Sequence, residues 1–186
     1  MKNIKHNNQV RIIGGQCRGR KLNFSDAEGL RPTPDMVREK LFNWLGQDLT
    51  NKRVLDLFSG SGALGFEAAS RCANTVVMVE KNQKTAAQLR KSIVDLQLHQ
   101  VEIVCADGLD YLKRPTIGKF DMVFLDPPFS WSRWPLLFNL LNNCLNEDAM
   151  VYIEAGSFPE LPGYLQAYRQ GRSGKSFFEL LIYSGK

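Results

Sequence analysis

No apolar run in this chain approaches the roughly 20 residues that a membrane-spanning helix needs, and no apolar signal-peptide core follows the polar, basic N-terminus. These two absences lead to the expectation of a soluble, cytoplasmic protein. Cysteine is sparse. Cys17, Cys72, Cys105 and Cys144 lie far apart with no C-x-x-C pair, which argues against both a disulfide framework and a zinc site. Histidine is scarcer still: His6 and His99 make no ligand spacing, and the chain is expected to need no metal. Repeats and low-complexity stretches are missing. What remains is an ordinary globular composition over 186 residues, enough for one domain with a sizeable core.

The net charge of +5 is not spread evenly. Residues 1–31 carry seven Lys and Arg against Asp26 and Glu28, while the remainder carries 17 basic and 17 acidic residues. Localised basic charge suggests a polyanionic partner. A solvated tail is the other reading that charge alone allows.

Short alternating runs at Val10–Ile13 and Lys21–Phe24, separated by glycines, predict a small hairpin. Thr33 reads as an N-cap, with Pro34 at the first helical position, and Val37, Leu41, Trp44 and Leu45 recur at helical spacing. From residue 53 the pattern alternates. Strands are expected at 53–57, 75–79, 101–105, 120–125 and 149–154. Helices are expected at 63–72, 83–97, near Leu109 and at 135–144. Such alternation argues a parallel sheet with helices on both faces. The tail departs from it: 164–169 and 176–183 flank Gly171-Arg172-Ser173-Gly174 and read as an antiparallel hairpin.

Two motifs carry chemistry. Val54 to Gly65 (VLDLFSGSGALG) is a strand running into a glycine loop and a helix. A bare G-x-G-x-x-G would suit a dinucleotide pyrophosphate. Asp56, four residues before Gly60, would repel a pyrophosphate and suit an ammonium instead, so the loop favours S-adenosylmethionine over NAD. Glu80 and Asp107 end the next two strands, at the sheet edge where such folds bind ligands. Glu80 could accept from ribose hydroxyls and Asp107 from an adenine amine; each could also be a capping or solvent-facing acid. The second motif, Asp126-Pro127-Pro128-Phe129, follows an apolar strand. A carboxylate, two prolines and an aromatic form a rigid acceptor corner beside a stacking surface, suited to gripping the NH2 of a flat base. Together the motifs indicate methyl transfer onto an exocyclic amine.

The order Asp56, Gly60, Glu80, Asp107 and Asp126-Pro127-Pro128-Phe129 resembles class I S-adenosylmethionine-dependent amino-methyltransferases. The strings Arg11-Ile12-Ile13-Gly14-Gly15, Arg18-Gly19-Arg20-Lys21-Leu22 and Leu30-Arg31-Pro32-Thr33-Pro34-Asp35 (with Val37, Arg38 and Glu39) extend the likeness. With the glycine loop, they are similar to the bacterial RsmD-type 16S rRNA guanine-N2 methyltransferases over nearly the whole chain. Cys17 departs from the pattern, since relatives often carry Trp there. The resemblance implies a Rossmann-like α/β fold: a mostly parallel seven-stranded sheet with an antiparallel last strand, helices on both faces and a small N-terminal extension. It divides the chain into a basic, RNA-facing extension (1–33) and a methyltransferase domain (34–186). The implied partner is 16S rRNA in the small ribosomal subunit or an assembly intermediate, met by a monomer. The segment around Arg31, Thr33 and Arg38 would close over the methionine end of the donor.

The expected donor site comprises Arg31, Thr33, Asp56, Phe58, Ser59, Gly60, Gly62, Glu80, Lys81, Asp107, Gly108 and Asp126. The catalytic corner is Asp126, Pro127, Pro128 and Phe129, with Phe129 stacking on the base. RNA contacts are expected from Arg11, Arg18, Arg20, Lys21 and Arg38. Trp131 and Trp134 either flank the base or pack the following helix. Competing readings are a DNA or RNA adenine-N6 methyltransferase, a non-catalytic RNA-binding assembly factor that keeps the donor fold and, more distantly, an NAD oxidoreductase.

Overall fold

The computed structural model describes residues 9–24, 33–174 and 176–185; Arg31, expected at the donor site, lies outside them. The chain runs β1 (Gln9–Arg11), β2 (Lys21–Asn23), α1 (Asp35–Leu45), β3 (Arg53–Asp56), α2 (Ala63–Ser70), β4 (Thr75–Glu80), α3 (Gln83–Leu96), β5 (Val101–Cys105), α4 (Gly108–Leu112), β6 (Phe120–Leu125), α5 (Trp134–Leu141), a 3-10 turn (Asn142–Cys144), β7 (Leu145–Ala155), β8 (Leu165–Ser173) and β9 (Ser176–Tyr183). The main sheet has seven strands in the order β5-β4-β3-β6-β7-β9-β8. Neighbours from β5 to β7 are parallel, and β9, the last strand, runs antiparallel between β7 and β8.

The central strands are apolar on both faces because helices cover both faces. Alternation sorts their side chains into two layers. Val54, Val76, Met78, Phe124 and Tyr152 pack with residues of α1, α2, α3 and the β1–β2 hairpin. Leu55, Val77, Val123 and Val151 pack with residues of α4 and α5. Among the described residues no helix is long and apolar enough to cross a membrane.

The expected cap of α1 is corrected. The helix begins at Asp35, behind Pro34, with no side-chain cap bond. Pro34 offers its carbonyl to the N–H groups of Val37 and Arg38, while the Thr33 hydroxyl donates to Asp126 Oδ2 at 3.1 Å. A cap is worth only about 1 kcal/mol, which a hydrogen bond to a half-buried carboxyl group can match or exceed. The carboxylate therefore wins the hydroxyl.

The β1–β2 hairpin is fastened to the end of α2. Gln16 donates its N–H to the Ser70 carbonyl at 2.7 Å, and Ser70 Oγ accepts from Cys17 N–H at 2.9 Å. Gly15 has φ +73°, and a Cβ there would stand 1.9 Å from the Ser70 carbonyl oxygen, so only glycine permits this approach. Beneath it lies a buried ion network. The Glu67 carboxylate accepts from Ile13 N–H (2.9 Å), Gly14 N–H (2.8 Å), Arg38 Nη1 (3.2 Å) and Arg71 Nη2 (2.8 Å). One side chain thus ties the hairpin segment to α1 and α2.

Candidate active site

The order of the parallel strands reverses between β3 and β6, the switch point at which open α/β sheets bind ligands beyond the carboxyl ends of their strands. Asp56 ends β3 and Asp126 immediately follows β6, so the two motifs stand on opposite sides of one crevice.

On the β3 side, Asp56 is buried, and its Oδ2 accepts the Gly65 N–H at 3.0 Å. Burial, offset by that bond and reinforced by nearby Glu80, raises its pKa to about 7. Among the described residues no Lys or Arg pairs with it. Gly60 and Gly62 take positive φ (49° and 81°) in the loop that follows. A Cβ on Gly62 would meet Phe66 at 2.6 Å and Leu89 at 2.8 Å, which keeps the loop low over α2 and α3. Ser59 is buried and donates its hydroxyl to the Asp56 carbonyl at 2.9 Å. Glu80 accepts Gly60 N–H (2.9 Å) on one oxygen and Asn82 N–H (2.7 Å) on the other. Lys81 beside it is exposed. Asp107 caps α4, accepting from Leu109 N–H at 2.9 Å through Oδ1. Gly108 is buried, and a Cβ there would lie 3.1 Å from Leu57.

On the β6 side, Asp126 is half-buried. Desolvation, then nearby Glu154, push its pKa well above the carboxylate range, partly opposed by the Thr33 bond. Glu154 is a member of this group that the sequence reading missed. It is buried near the end of β7, accepting from the Tyr152 hydroxyl (2.9 Å) and the Ser176 hydroxyl (2.6 Å). The strand-end rule that singled out Glu80 and Asp107 applies equally to Glu154, whereas Tyr152 and Ser176 carried no signal.

Pro127 is buried, Pro128 is exposed, and Phe129 is 65% exposed. Beside them lies a cavity of about 190 Å3, lined also by Trp131, Ser132, Trp134, residues 154–157, Phe158 and Pro159. Trp131 bridges the motifs: its ring meets Phe58 edge-to-face at 5.3 Å and Trp134 at 5.1 Å. Trp134 is buried and stacks on Phe138 in α5. Both tryptophans therefore pack the structure while contributing to the cavity wall.

The basic residues divide. Arg18 and Lys21 are exposed on the hairpin. Arg11 is exposed and lies 3.6 Å from Asp35, and Arg20 donates to the Asp95 carbonyl at 2.7 Å. Arg38 does not belong with them. Its side chain is fully buried, with Nε on the Thr33 carbonyl and the two terminal nitrogens on Glu67 and Asp35, leaving no face for RNA. Cys17 is buried against the Leu96 carbonyl, so no stacking surface exists there. Among the described residues no group of three or more His, Cys, Asp or Glu is placed to hold a metal ion.

This strand order, with a glycine loop after β3 and an Asp-Pro-Pro-Phe corner after β6, is a Rossmann-like class I methyltransferase fold. A family model described as "Conserved hypothetical protein 95" matches residues 10–182. The chain is 46% identical over 151 residues to the Ribosomal RNA small subunit methyltransferase D of Haemophilus influenzae, covering 78% of each chain. It is 38% identical over 177 residues to the protein of that name from Escherichia coli K12, covering 92% of this chain and 89% of the relative. The solved structure of yhhF from Escherichia coli superposes with a TM-score of 0.87 at 36% identity, covering 96% of this chain and 99% of that one. The chain belongs to this family, the RsmD-type methyltransferases.

Proposed function

We propose that this protein transfers a methyl group from S-adenosylmethionine to the exocyclic N2 of a guanine in 16S rRNA of the small ribosomal subunit. The observation that carries the reading is the juxtaposition of Asp56 and Asp126 across the switch-point crevice. The relatives' shared name supports a small-subunit rRNA substrate, and the exposed Arg18 and Lys21 supply charge for a polyanion.

The donor fits the β3 side. Asp56 is a buried carboxylate without a cation among the described residues, and the ammonium of a methionine moiety would supply one. Each oxygen of Glu80 keeps an acceptor site for a ribose hydroxyl beyond its backbone bond. Asp107 Oδ1 serves the α4 cap, leaving Oδ2 for an adenine amine. When bound, S-adenosylmethionine supplies a methyl group activated by the sulfonium charge.

The chain's own work is then positioning and electrostatics. The guanine is presented unstacked, because N2 is out of reach in a paired helix. Phe129 stacks on its face. The Asp126 carboxylate and the Pro127 carbonyl accept the two N2 hydrogens, which aims the nitrogen lone pair at the methyl carbon. As the new N–C bond would form, the methyl–sulfur bond would break with its electron pair returning to sulfur, leaving S-adenosylhomocysteine, and N2 would become positive and shed a proton. Asp126, made more basic by burial and by Glu154, is suited to receive it.

The test is methyl transfer from labelled S-adenosylmethionine to naked rRNA, small-subunit particles and DNA in parallel, followed by nucleoside identification. N2-methylguanine in the rRNA is the expected product. N6-methyladenine, or label in DNA alone, would replace this reading with an adenine methyltransferase, and no transfer at all would point to a non-catalytic assembly factor.

A further inference from the structure

The cavity beside the acceptor corner mixes aromatic and polar walls, and among the described residues Glu154 is the only charged one lining it. Glu154 is not a surface acid that happens to border a groove. It is 5% exposed and lies on the strand next to that of Asp126, where Leu125 pairs with Ile153. Continuing that register one step places Asp126 opposite Glu154, close enough for the two carboxyl groups to interact. Both project to the layer that holds Phe124 and Tyr152, two residues earlier on the same strands. Two carboxylates side by side repel each other, and Tyr152 and Ser176 donate hydroxyls that fix the second one in place. Each Glu154 oxygen still has an acceptor site to offer.

Guanine and adenine differ next to the amine. On guanine the neighbouring ring nitrogen, N1, carries a hydrogen; on adenine it presents a lone pair. The 2-amine of guanine lies between N1–H and N3, and a carboxylate beside Asp126 and Pro127 can accept only from N1–H, since N3 is itself an acceptor. We infer that Glu154 is the specificity-determining residue of the base site, accepting the N1–H of the target guanine and rejecting a purine whose N1 is an acceptor. This rests on the guanine-N2 reading given above. It also explains how one acceptor corner, which suits either amine, is confined to guanine. Unpaired buried polar groups discriminate strongly against analogues lacking the matching hydrogen.

The base 2-aminopurine separates the possibilities, because it keeps the 2-amine of guanine but has an acceptor at N1. Small-subunit particles are reconstituted with semi-synthetic rRNA carrying guanine or 2-aminopurine at the nucleotide that the wild-type enzyme methylates, and single-turnover rates are measured for each. The wild-type protein should prefer guanine by at least about a hundredfold. The Glu154→Gln variant, whose amide can donate to an N1 acceptor, should narrow that ratio at least fivefold. A merely structural role for Glu154 would slow both substrates alike and leave the ratio unchanged. A narrowing of less than fivefold in a variant that melts like wild type overturns the inference. If that variant fails to fold, Glu154→Asp, which withdraws the acceptor, is held to the same fivefold criterion; because 2-aminopurine also lacks the C6 oxygen, the wild-type ratio alone serves only to overturn the inference, by a value below about tenfold. Absence of N2-methylguanine from the wild-type reaction would instead sink the guanine reading beneath it.

Discussion

The hydroxyl of Thr33 donates to Asp126 Oδ2 at 3.1 Å, and the Thr33 carbonyl accepts from Arg38 Nε at the same distance. Arg38 is held in turn by Glu67, which also accepts from the backbone of Ile13 and Gly14. Asp126 is thus joined, through one threonine and a buried ion network, to the segment that carries the exposed basic hairpin.

Removing the Thr33 hydroxyl while keeping its volume isolates that link. Thr33→Val is expected to lower kcat about tenfold, the equivalent of losing one hydrogen bond of about 1.4 kcal/mol. The bond holds the Asp126 pKa down, so its loss should also move the acidic limb of the pH–rate profile to higher pH. A variant with an unshifted limb would detach Thr33 from Asp126. Asp126→Ala should abolish transfer while isothermal titration shows donor affinity within a few-fold of wild type; near-normal turnover would remove Asp126 from the mechanism.

Glu67→Ala leaves Arg38 and Arg71 buried without their shared carboxylate. Breaking a buried ion network by removing one partner costs about 3–5 kcal/mol. Chemical denaturation should therefore show a loss of that order, with the β1–β2 hairpin protected less in hydrogen exchange. A loss under about 1 kcal/mol would mean that the network is not a structural tie.

Asp56 predicts how stability changes with pH. Its folded pKa is about 7 against an ordinary 3.8. Below about pH 4 it is protonated in both folded and unfolded chains. Between 4 and 7 the folded protein binds the proton that the unfolded chain has lost, so stability falls as pH rises, and above 7 the penalty stays constant. The melting temperature of the donor-free protein should thus drop between pH 5 and pH 7.5. The slope should flatten in Asp56→Asn and on saturation with S-adenosylmethionine, whose ammonium favours the ionised carboxylate. An equal slope in Asp56→Asn would show that other groups dominate.

Charge reversal at Arg18, Arg20 and Lys21 together should weaken binding to small-subunit particles, by a factor that shrinks as salt rises. Donor affinity and melting temperature should change little, since these side chains are exposed. Unchanged particle affinity at low salt would exclude the hairpin from the RNA interface.

Local features were legible before any fold was known. The apolar run ending at Leu125 places Asp126 at a strand end, and the glycine spacing after Asp56 places a tight turn there, because both depend on the backbone of a few consecutive residues. Boundaries drifted where neighbours intervened. β7 begins at Leu145 rather than Ala149, and α5 begins at Trp134 rather than Pro135. Arg38 was misassigned for a related reason: within its basic string it looks like its neighbours, and only the packing of α1 against Glu67 shows it to be buried.

By itself the sequence determined the strand–helix alternation, the glycine loop after Asp56, the place of Asp126-Pro127-Pro128-Phe129 at a strand end and the location of the excess positive charge. The tertiary structure alone decided what surrounds Asp126. Thr33 reaches it from 93 positions away, and Glu154 comes near it because the parallel strands that lead to the two residues are paired as far as Leu125 and Ile153. Periodicity and propensity act over one or two turns of chain. Burial, ion pairing and the meeting of two carboxylates depend on which strands become neighbours, and that emerges only when the whole sheet is assembled.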